Sequence, residues 1–222
     1  MPALVLREGH MEADISRLSM PLGEAMFTQR AIRRLRRDPL PTEDIRLVLE
    51  AAVKAPNGGN AQPARFVVLT DREQIRAFGA LYREAWWAKR RDEGRPWTTR
   101  DAIPPDAGSY RFAARLADEI GDAPCIVLAF STGSGGASSV IPAVQNLMLA
   151  ARALGIGSVY TTLHPVVMAR LYTLLDVPAE AEFHACIPLG YPRGNFGPTQ
   201  RRPTAETTYW GRWGNPPPWG SG

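Results

Sequence analysis

The chain has 222 residues, of which 45% are hydrophobic and 22% charged, with 20 glycines and 20 prolines. These fractions are typical of a folded domain and exclude a chain that is disordered throughout. No apolar run approaches the roughly 18 residues that a membrane span needs, and residues 1–10 carry charges where a signal peptide would have an apolar core. We therefore expect one cytoplasmic domain over residues 1–222.

The basic residues are unusual in type and placement. The net charge is +4, and Lys54 and Lys89 are the only lysines, so the other 24 basic residues are arginines. Five arginines fall within eight positions: Arg30, Arg33, Arg34, Arg36 and Arg37. Composition alone leaves three interpretations open, namely a solvated face, a site for a small phosphorylated ligand, and a nucleic-acid surface.

The first predicted elements are two helices, a loop and a strand. Residues 21–35 are predicted to be helical, because the closely spaced prolines that follow would end a helix. A second helix is predicted to begin at residues 42–44, where acidic residues favour a helix N-terminus, and it carries an apolar stripe to residue 53. Residues 57–60 predict a loop that can adopt positive φ, and residues 65–70 predict a strand.

The middle of the chain is predicted to form a long helix, a loop, a helix and a strand. Asp71 and Gln74 resemble a capping box, which would start a helix that runs towards Arg90. Glycines and prolines mark residues 91–109 as a long loop. A helix over residues 111–120 and a continuous apolar strand over residues 124–130 follow.

The last third contains a helix that is apolar on almost every side. It is predicted over residues 140–154, after a flexible stretch at 131–139, and would end on Gly155. Such a helix is buried in a large core or between subunits. The remaining predicted elements are a strand, a helix and a strand, at residues 158–162, 165–175 and 183–189. Mixed strands and helices predict the α+β class in a single domain.

Common catalytic motifs are missing. The sequence lacks dinucleotide-binding, P-loop, H-E-x-x-H and G-x-S-x-G patterns, and the glycine-rich residues 131–136 are more typical of a flexible connection. The three histidines are scattered, and Cys125 and Cys186 each lie in an apolar segment, which argues against a disulfide scaffold and a zinc site. We therefore expect a cofactor to supply the chemistry and no metal to be bound.

Four segments carry a more specific pattern. They are RAIRRL with DPLP (30–35, 38–41), APNGGNAQP (55–63), AVQNL with AARALG and TTL (143–155, 161–163), and IPLGYP with RRP (187–192, 201–203). In this order and spacing they resemble the nitroreductase family of FMN-dependent oxidoreductases. The resemblance spans about residues 26–203, nearly the whole domain.

The resemblance implies a central, mostly antiparallel sheet surrounded by helices, in an intertwined homodimer with FMN at the subunit interface. The core would cover about residues 22–203, with 91–109 as a variable lid loop and 204–222 as a C-terminal extension. One side of the apolar helix at 140–154 would then pack in its own core and the other against the partner.

The resemblance also assigns residues to FMN. Residues of the first and last segments would meet the phosphate and the pyrimidine edge: Arg30, Arg33, Arg201 and Arg202. Arg33 is expected beside the flavin N1 and O2 atoms, with Arg34 as the competing choice. Ala31 stands where the family usually has serine, so contact there would use the backbone.

Two further segments would lie against the flavin ring. The second subunit would supply a loop containing Pro56, Asn57, Gly58 and Asn60, braced by Gln62; the alternative is a plain turn between helix and strand. Thr161, Thr162 and Leu163 match the segment near flavin N5, where the backbone of Thr162 is expected to lie. The acidic residue that many members carry there is absent.

The implied activity is ping-pong hydride transfer from NAD(P)H to an electron-poor small molecule such as a nitroaromatic or a quinone. Trp86, Trp87 and Trp97 are candidates for a substrate lid, although Trp86 also fits the core stripe of its helix. A flavin-sequestering protein of the same fold remains the alternative. A nucleic-acid binder is disfavoured because few aromatic residues accompany the arginine cluster, and no membrane partner is expected.

Overall fold

The structure is a computed structural model that describes residues 14–133 and 135–220. The charged segment at residues 1–10 and Ser134 of the glycine-rich stretch lie outside the described residues. Six α-helices and four strands are assigned in the described part. In chain order they are α1 (Leu22–Thr28), α2 (Thr42–Val53), β1 (Ala64–Leu69), α3 (Arg72–Asp92), α4 (Gly108–Glu119), β2 (Cys125–Ser131), α5 (Gly136–Ala153), β3 (Gly157–Ser158), α6 (Met168–Leu174) and β4 (Glu182–Gly190).

The four strands form one antiparallel sheet in the order β1-β2-β4-β3. β2 lies inside the sheet, and every one of its residues is buried. Leu128 of β2 pairs with Val67 on one side and with Cys186 on the other. The predicted α+β class with a mostly antiparallel sheet is confirmed.

Helices cover both faces of the sheet. Successive side chains of a strand point to opposite faces, so Val127 packs in one core and Ile126 and Leu128 in the other. α2 and α5 contribute to the first core, and α3, α4 and α6 contribute to the second. This arrangement leaves the two outer strands, β1 and β3, at opposite edges of the sheet.

The prediction of one helix over residues 21–35 is wrong beyond Thr28. The chain then becomes extended, and the Ile32 amide donates to the Ser158 carbonyl at 2.9 Å. A Cβ at Gly157 would lie only 2.7 Å from Ile32, so glycine is what permits this approach. Local helix propensity in the arginine-rich run is overridden by pairing with the sheet edge.

Three smaller differences from the prediction concern where elements begin and end. α5 begins at Gly136, a turn before the predicted start, and Gly155 follows its end with φ of +72°. The predicted strand at 158–162 is reduced to β3 and a single bridge at Thr161. Between α3 and α4, within the predicted loop at 91–109, lies a short 3-10 helix, Arg100–Ala102.

Most of the apolar surface of α5 is covered within its own chain. α2 packs along it on one side and the sheet on the other, and Val144 and Leu147 are fully buried. Beyond its first turn, the exposed residues are Ile141 and Gln145. The surface left for a partner is therefore a narrow strip rather than half of the helix.

Gly79 permits the closest approach of α3 to the chain that precedes β2. A Cβ on Gly79 would lie 2.6 Å from the Cα of Gly121, which is backbone and has no flexible end to move aside. We expect Gly79→Ala to lower the free energy of unfolding by about 2 kcal/mol through overpacking. The measurement is the midpoint of urea unfolding.

Gly108, at the start of α4, provides the control because a Cβ there meets nothing within 4 Å. Gly108→Ala is expected to leave the midpoint unchanged or to raise it slightly. Equal midpoints for the two variants would contradict the close approach at Gly79.

Candidate functional site

Three of the predicted arginines meet in an open cleft of about 400 Å³, here called the arginine cleft. Arg30, Ala31 and Arg33 reach it from the extended segment after α1, and Arg201 reaches it from the C-terminal segment. The Thr199 amide donates to the Phe27 carbonyl at 3.1 Å, which fixes the C-terminal segment beside α1. Two regions far apart in sequence thus contribute to one basic surface.

The charges in the arginine cleft are not compensated by the protein. Among residues 14–133 and 135–220, no carboxylate lies within 4.0 Å of Arg30, Arg33 or Arg201. Arg36 and Arg37, by contrast, each pair with an aspartate, at 3.2 and 2.5 Å. Guanidinium groups without a counter-charge are suited to bind a phosphate or a carboxylate by charge-assisted hydrogen bonds.

The other two predicted arginines do not line the arginine cleft. Arg34 and Arg202 are both exposed. The backbone carbonyl of Arg34 accepts a hydrogen bond from the Arg193 amide at 3.0 Å. Arg34 therefore has a structural role through its backbone, which connects the extended segment to the chain after β4.

A second cleft, of about 200 Å³, adjoins the first through Arg33 and is here called the α3 cleft. It lies between one face of α3, α4 and the segment after β3. Thr161 and Thr162 line it, whereas Leu163 packs against the core. Its other lining residues are Tyr82, Ala85, Trp86, Lys89, Arg90, Ala113, Leu116, Val159, Tyr160 and His164.

Thr161 is held from two sides. Its amide and carbonyl pair with the carbonyl and amide of Cys186 at 3.1 and 2.8 Å. Its hydroxyl lies 2.8 Å from the Tyr82 hydroxyl. Burial raises the pKa of Tyr82, so this hydroxyl stays protonated. Because the backbone of Thr161 is used by the sheet, a ligand at this end of the cleft would meet the exposed Thr162.

His164 connects the segment after Thr162 to the last turn of α3. The Val166 amide donates to His164 Nδ1 at 3.3 Å, so the neutral ring carries its proton on Nε2. His164 Nε2 lies 3.0 Å from a carboxylate oxygen of Asp92 and donates to it. Both ring nitrogens therefore help to hold the segment after Thr162 against α3.

The loop before β1 has the predicted positive-φ conformation and lines a third cleft, of about 150 Å³, the loop cleft. Gly59, Asn60 and Gln62 have φ values of +57°, +53° and +49°. The side chain of Asn57 accepts from the Gln62 amide at 2.8 Å, and the Gly58 amide donates to Ser139 Oγ at 3.3 Å. Asn57 and Gln62 line the loop cleft, whereas Pro56, Gly58 and Asn60 are exposed beside it.

The loop cleft and the arginine cleft lie at opposite edges of the sheet. The loop leads into β1, whereas Ala31 and Thr161 bridge the β3 edge at Ser158 and Cys186. Three strand spacings separate the edges, which is about 14 Å. Ala64, at the start of β1, is in register with Glu182 of β4, and Glu182 lies four residues, or about 13 Å, along β4 from Cys186. One chain therefore does not bring all of the predicted site together.

The three candidate lid tryptophans are divided between two faces of α3. Trp86 lines the α3 cleft. Trp87 and Trp97 line a separate, apolar cleft of about 540 Å³ on the opposite face, together with Arg91 and Arg95. The structure therefore places one of the three beside Arg33 and Thr162, and the other two away from them.

Sequence reasoning missed three residues of the α3 cleft. From the sequence alone, Arg90 is placed only at a helix end, and neither Tyr82 nor His164 is assigned to a site. A usable signal was present, because Tyr82, Trp86 and Arg90 recur at intervals of four residues and so share one helix face. A polar residue at both ends of such a stripe indicates a cleft rather than a dry core.

Neither a metal site nor a membrane span is found in the described residues. There, no three His, Cys, Asp or Glu side chains are grouped so as to hold a metal ion. No helix of this part combines the length and apolarity needed to cross a membrane.

The two cysteines are expected to be unreactive in the folded protein. Burial raises the pKa of the Cys125 thiol to about 12 and also raises that of Cys186, so both stay neutral at pH 8. We expect no colour from 5,5′-dithiobis(2-nitrobenzoate) with native protein and two thiols per chain in denaturant. Rapid reaction of the native protein would contradict the buried placement.

The sequence is similar to known proteins. A model described as the nitroreductase family matches residues 27–191. An NADH dehydrogenase of Thermus thermophilus is 30% identical over 203 residues, 84% of this chain and 94% of that protein. An iodotyrosine deiodinase of Thermotoga neapolitana is 31% identical over 169 residues, 74% of this chain and 84% of that protein.

A solved structure shows the same fold. It is an oxidized iodotyrosine deiodinase bound to FMN and 3-iodo-L-tyrosine, with a TM-score of 0.68 and 23% identity. The alignment covers 88% of this chain and all of the other.

Proposed function

The chain belongs to the nitroreductase family, and on that premise we propose that it is an FMN-dependent oxidoreductase. It would transfer electrons from NAD(P)H to an electron-poor small molecule such as a nitroaromatic or a quinone. The observation that carries the proposal is the arginine cleft, in which three uncompensated guanidinium groups adjoin a partly apolar cleft through Arg33.

The residues present fit FMN. Its phosphate is a dianion, and Arg30 and Arg201 supply cations without a protein counter-charge. Arg33 lines both clefts, so one side chain can reach the pyrimidine edge of a flavin while the phosphate lies among the other arginines. When bound, FMN would supply hydride acceptance from the nicotinamide and electron transfer to the acceptor.

The chain's own groups then position and shield that chemistry. Arg33 would hold the pyrimidine edge of the flavin and supply a positive charge there, which would favour electron acceptance. Tyr82 and Cys186 hold Thr161, and this fixes the direction in which Thr162 presents its backbone. Trp86 and Tyr160 line the α3 cleft, where their rings would exclude water from a bound ligand.

We also propose that two copies of the chain complete the site. The loop with Asn57 and Gly58 lies too far from Arg33 in the same chain, so a second copy would bring its own loop onto the flavin. Exposed apolar residues beside both clefts support this assembly. Val53 lines the loop cleft, and the Phe27 carbonyl accepts a hydrogen bond from Thr199, which lines the arginine cleft. Val53 and Phe27 are 58% and 74% exposed.

Anaerobic titration with NADH and NADPH tests the proposed activity. We expect the yellow, FMN-loaded protein to be bleached by at least one of them, and a quinone added afterwards to restore the colour. Failure of both nucleotides to bleach a protein that retains FMN would favour flavin sequestration. A colourless protein that takes up no added FMN would contradict both functions.

A further inference from the structure

The α3 cleft has a strongly one-sided charge. Arg33, Lys89 and Arg90 line it, and no carboxylate is found among the described residues that do so. Two carboxylates lie nearby, but each is already paired: Glu93 with Arg90 at 2.9 Å and Asp92 with His164 at 3.0 Å. An anion entering this cleft would thus meet cations on both sides.

Arg90 is an unusual member of that set because it is almost fully buried. Its exposure is 8%, and its guanidinium lies over the rings of Trp86 and Tyr110, at 4.9 and 5.2 Å. These rings fix the group in one orientation. The buried Nε atom has no hydrogen-bond partner within the described structure. A buried donor without an acceptor is unfavourable, so this guanidinium has a hydrogen-bonding capacity that the described groups do not fill.

Aromatic side chains accompany these cations. Trp86 and Tyr82 stand one and two helical turns before Arg90 on the same face of α3, and Tyr160 lines the cleft from the segment after β3. Ring faces and edges of this kind pack well against a flat aromatic ligand. Shape and charge therefore indicate one chemical class.

We propose that the molecule accepted by the α3 cleft is an aromatic carboxylate, and that Arg90, assisted by Lys89, binds its carboxylate group. This inference rests on the proposed function, since it names the class of acceptor that would enter beside the flavin. Arg33 stays with the flavin, and Arg90 sets the specificity at the other end of the cleft. Neutral aromatics of the same shape bind more weakly because they bring no charge to Lys89 or to the guanidinium nitrogens of Arg90 that Glu93 does not hold.

The test uses benzoate and benzamide, which match in shape, differ in charge and are not reduced. Each is titrated calorimetrically into the FMN-saturated protein at low and high salt. We expect benzoate to bind at least about tenfold more tightly than benzamide, with the difference shrinking as salt rises. Equal affinities at low salt would overturn the inference.

Substitutions identify which residues cause the preference for benzoate over benzamide. Arg90→Gln is expected to bring the benzoate-to-benzamide ratio close to one, and Lys89→Gln to reduce it about threefold. Arg91→Gln is the matched control, because Arg91 lies on the opposite face of α3 and lines the other cleft. An unchanged ratio in both Arg90→Gln and Lys89→Gln would overturn the assignment.

Three further outcomes are defined, and the last two separate this inference from the proposed function. If Arg90→Gln fails to fold, Lys89→Gln and the wild-type comparison decide the question, since Lys89 is exposed. If the wild-type protein binds FMN and is bleached by a nicotinamide but does not prefer benzoate, the acceptor class is wrong and the oxidoreductase stands. If it binds no FMN, the proposed function itself has failed.

Discussion

Replacing Arg33 with alanine is expected to weaken FMN binding about 100-fold. Arg33 lies where the arginine cleft meets the α3 cleft and has no carboxylate partner among the described residues. Loss of a charge-assisted contact to a buried ligand is worth about 3 kcal/mol, which corresponds to roughly two orders of magnitude. The dissociation constant is measured by quenching of flavin fluorescence as apoprotein is added.

Arg36→Ala is the matched control for Arg33→Ala. It removes the same charge from the same arginine cluster, but Arg36 pairs with Asp38 at 3.2 Å and lies 5.1 Å from the Tyr191 ring. We expect FMN affinity to change less than about threefold, because an exposed pair contributes little. Equal losses in both variants would show that net charge, rather than the position of Arg33, governs flavin binding.

The second large effect is expected at the α5 surface. Ile141 is 47% exposed in the single chain, so a charged side chain there is tolerated by the monomer. In an interface between two copies, Ile141→Glu would bury an unpaired carboxylate, which costs about 3 kcal/mol or more. We expect the dimer to dissociate at least about 100-fold more readily and to lose FMN at the same time. Sedimentation velocity at several concentrations measures this.

Phe112→Glu provides the comparison for Ile141→Glu. Phe112 is 62% exposed on α4, away from Phe27, Val53 and Ile141, the exposed apolar residues of the proposed interface. The same change there is expected to leave both the mass and the flavin content unaltered. A dimer that survives Ile141→Glu would exclude this strip of α5 from the interface.

Much of the fold could be predicted from the sequence. The capping pattern at Asp71, the β-branched run of β1 and the fully apolar β2 are strong local signals, and each element formed near the expected residues. The segment after α1 could not be predicted in this way. Its extended form depends on Ser158 and Gly157, more than 120 residues later, and no local pattern encodes that pairing.

The candidate site, like the fold, could be predicted only in part from the sequence. Arg30, Arg33 and Arg201 could be selected from the family resemblance, and the structure places them in one cleft. Arg90 and His164 could not be selected, because their roles depend on partners from other elements: the Tyr110 ring of α4 for Arg90 and Asp92 of α3 for His164. Tertiary contacts of this kind are visible only after the helices are packed.

The central claim is that each flavin site uses the arginine cleft of one copy and the loop of another. It is tested by pairing Arg33→Ala with Gly58→Trp. Gly58 is exposed, and a Cβ there meets nothing within 4 Å, so tryptophan leaves the chain itself undisturbed and obstructs only a partner's flavin. Each variant alone is expected to bind little FMN.

The decisive measurement is the FMN content of the purified heterodimer, in which each subunit carries one of the two substitutions and a different affinity tag. If sites are shared, one site combines both defects and the other has none, so about one FMN per heterodimer is expected. If each site lies within a single chain, both sites are defective. A heterodimer that binds no more FMN than the two single variants would contradict the account.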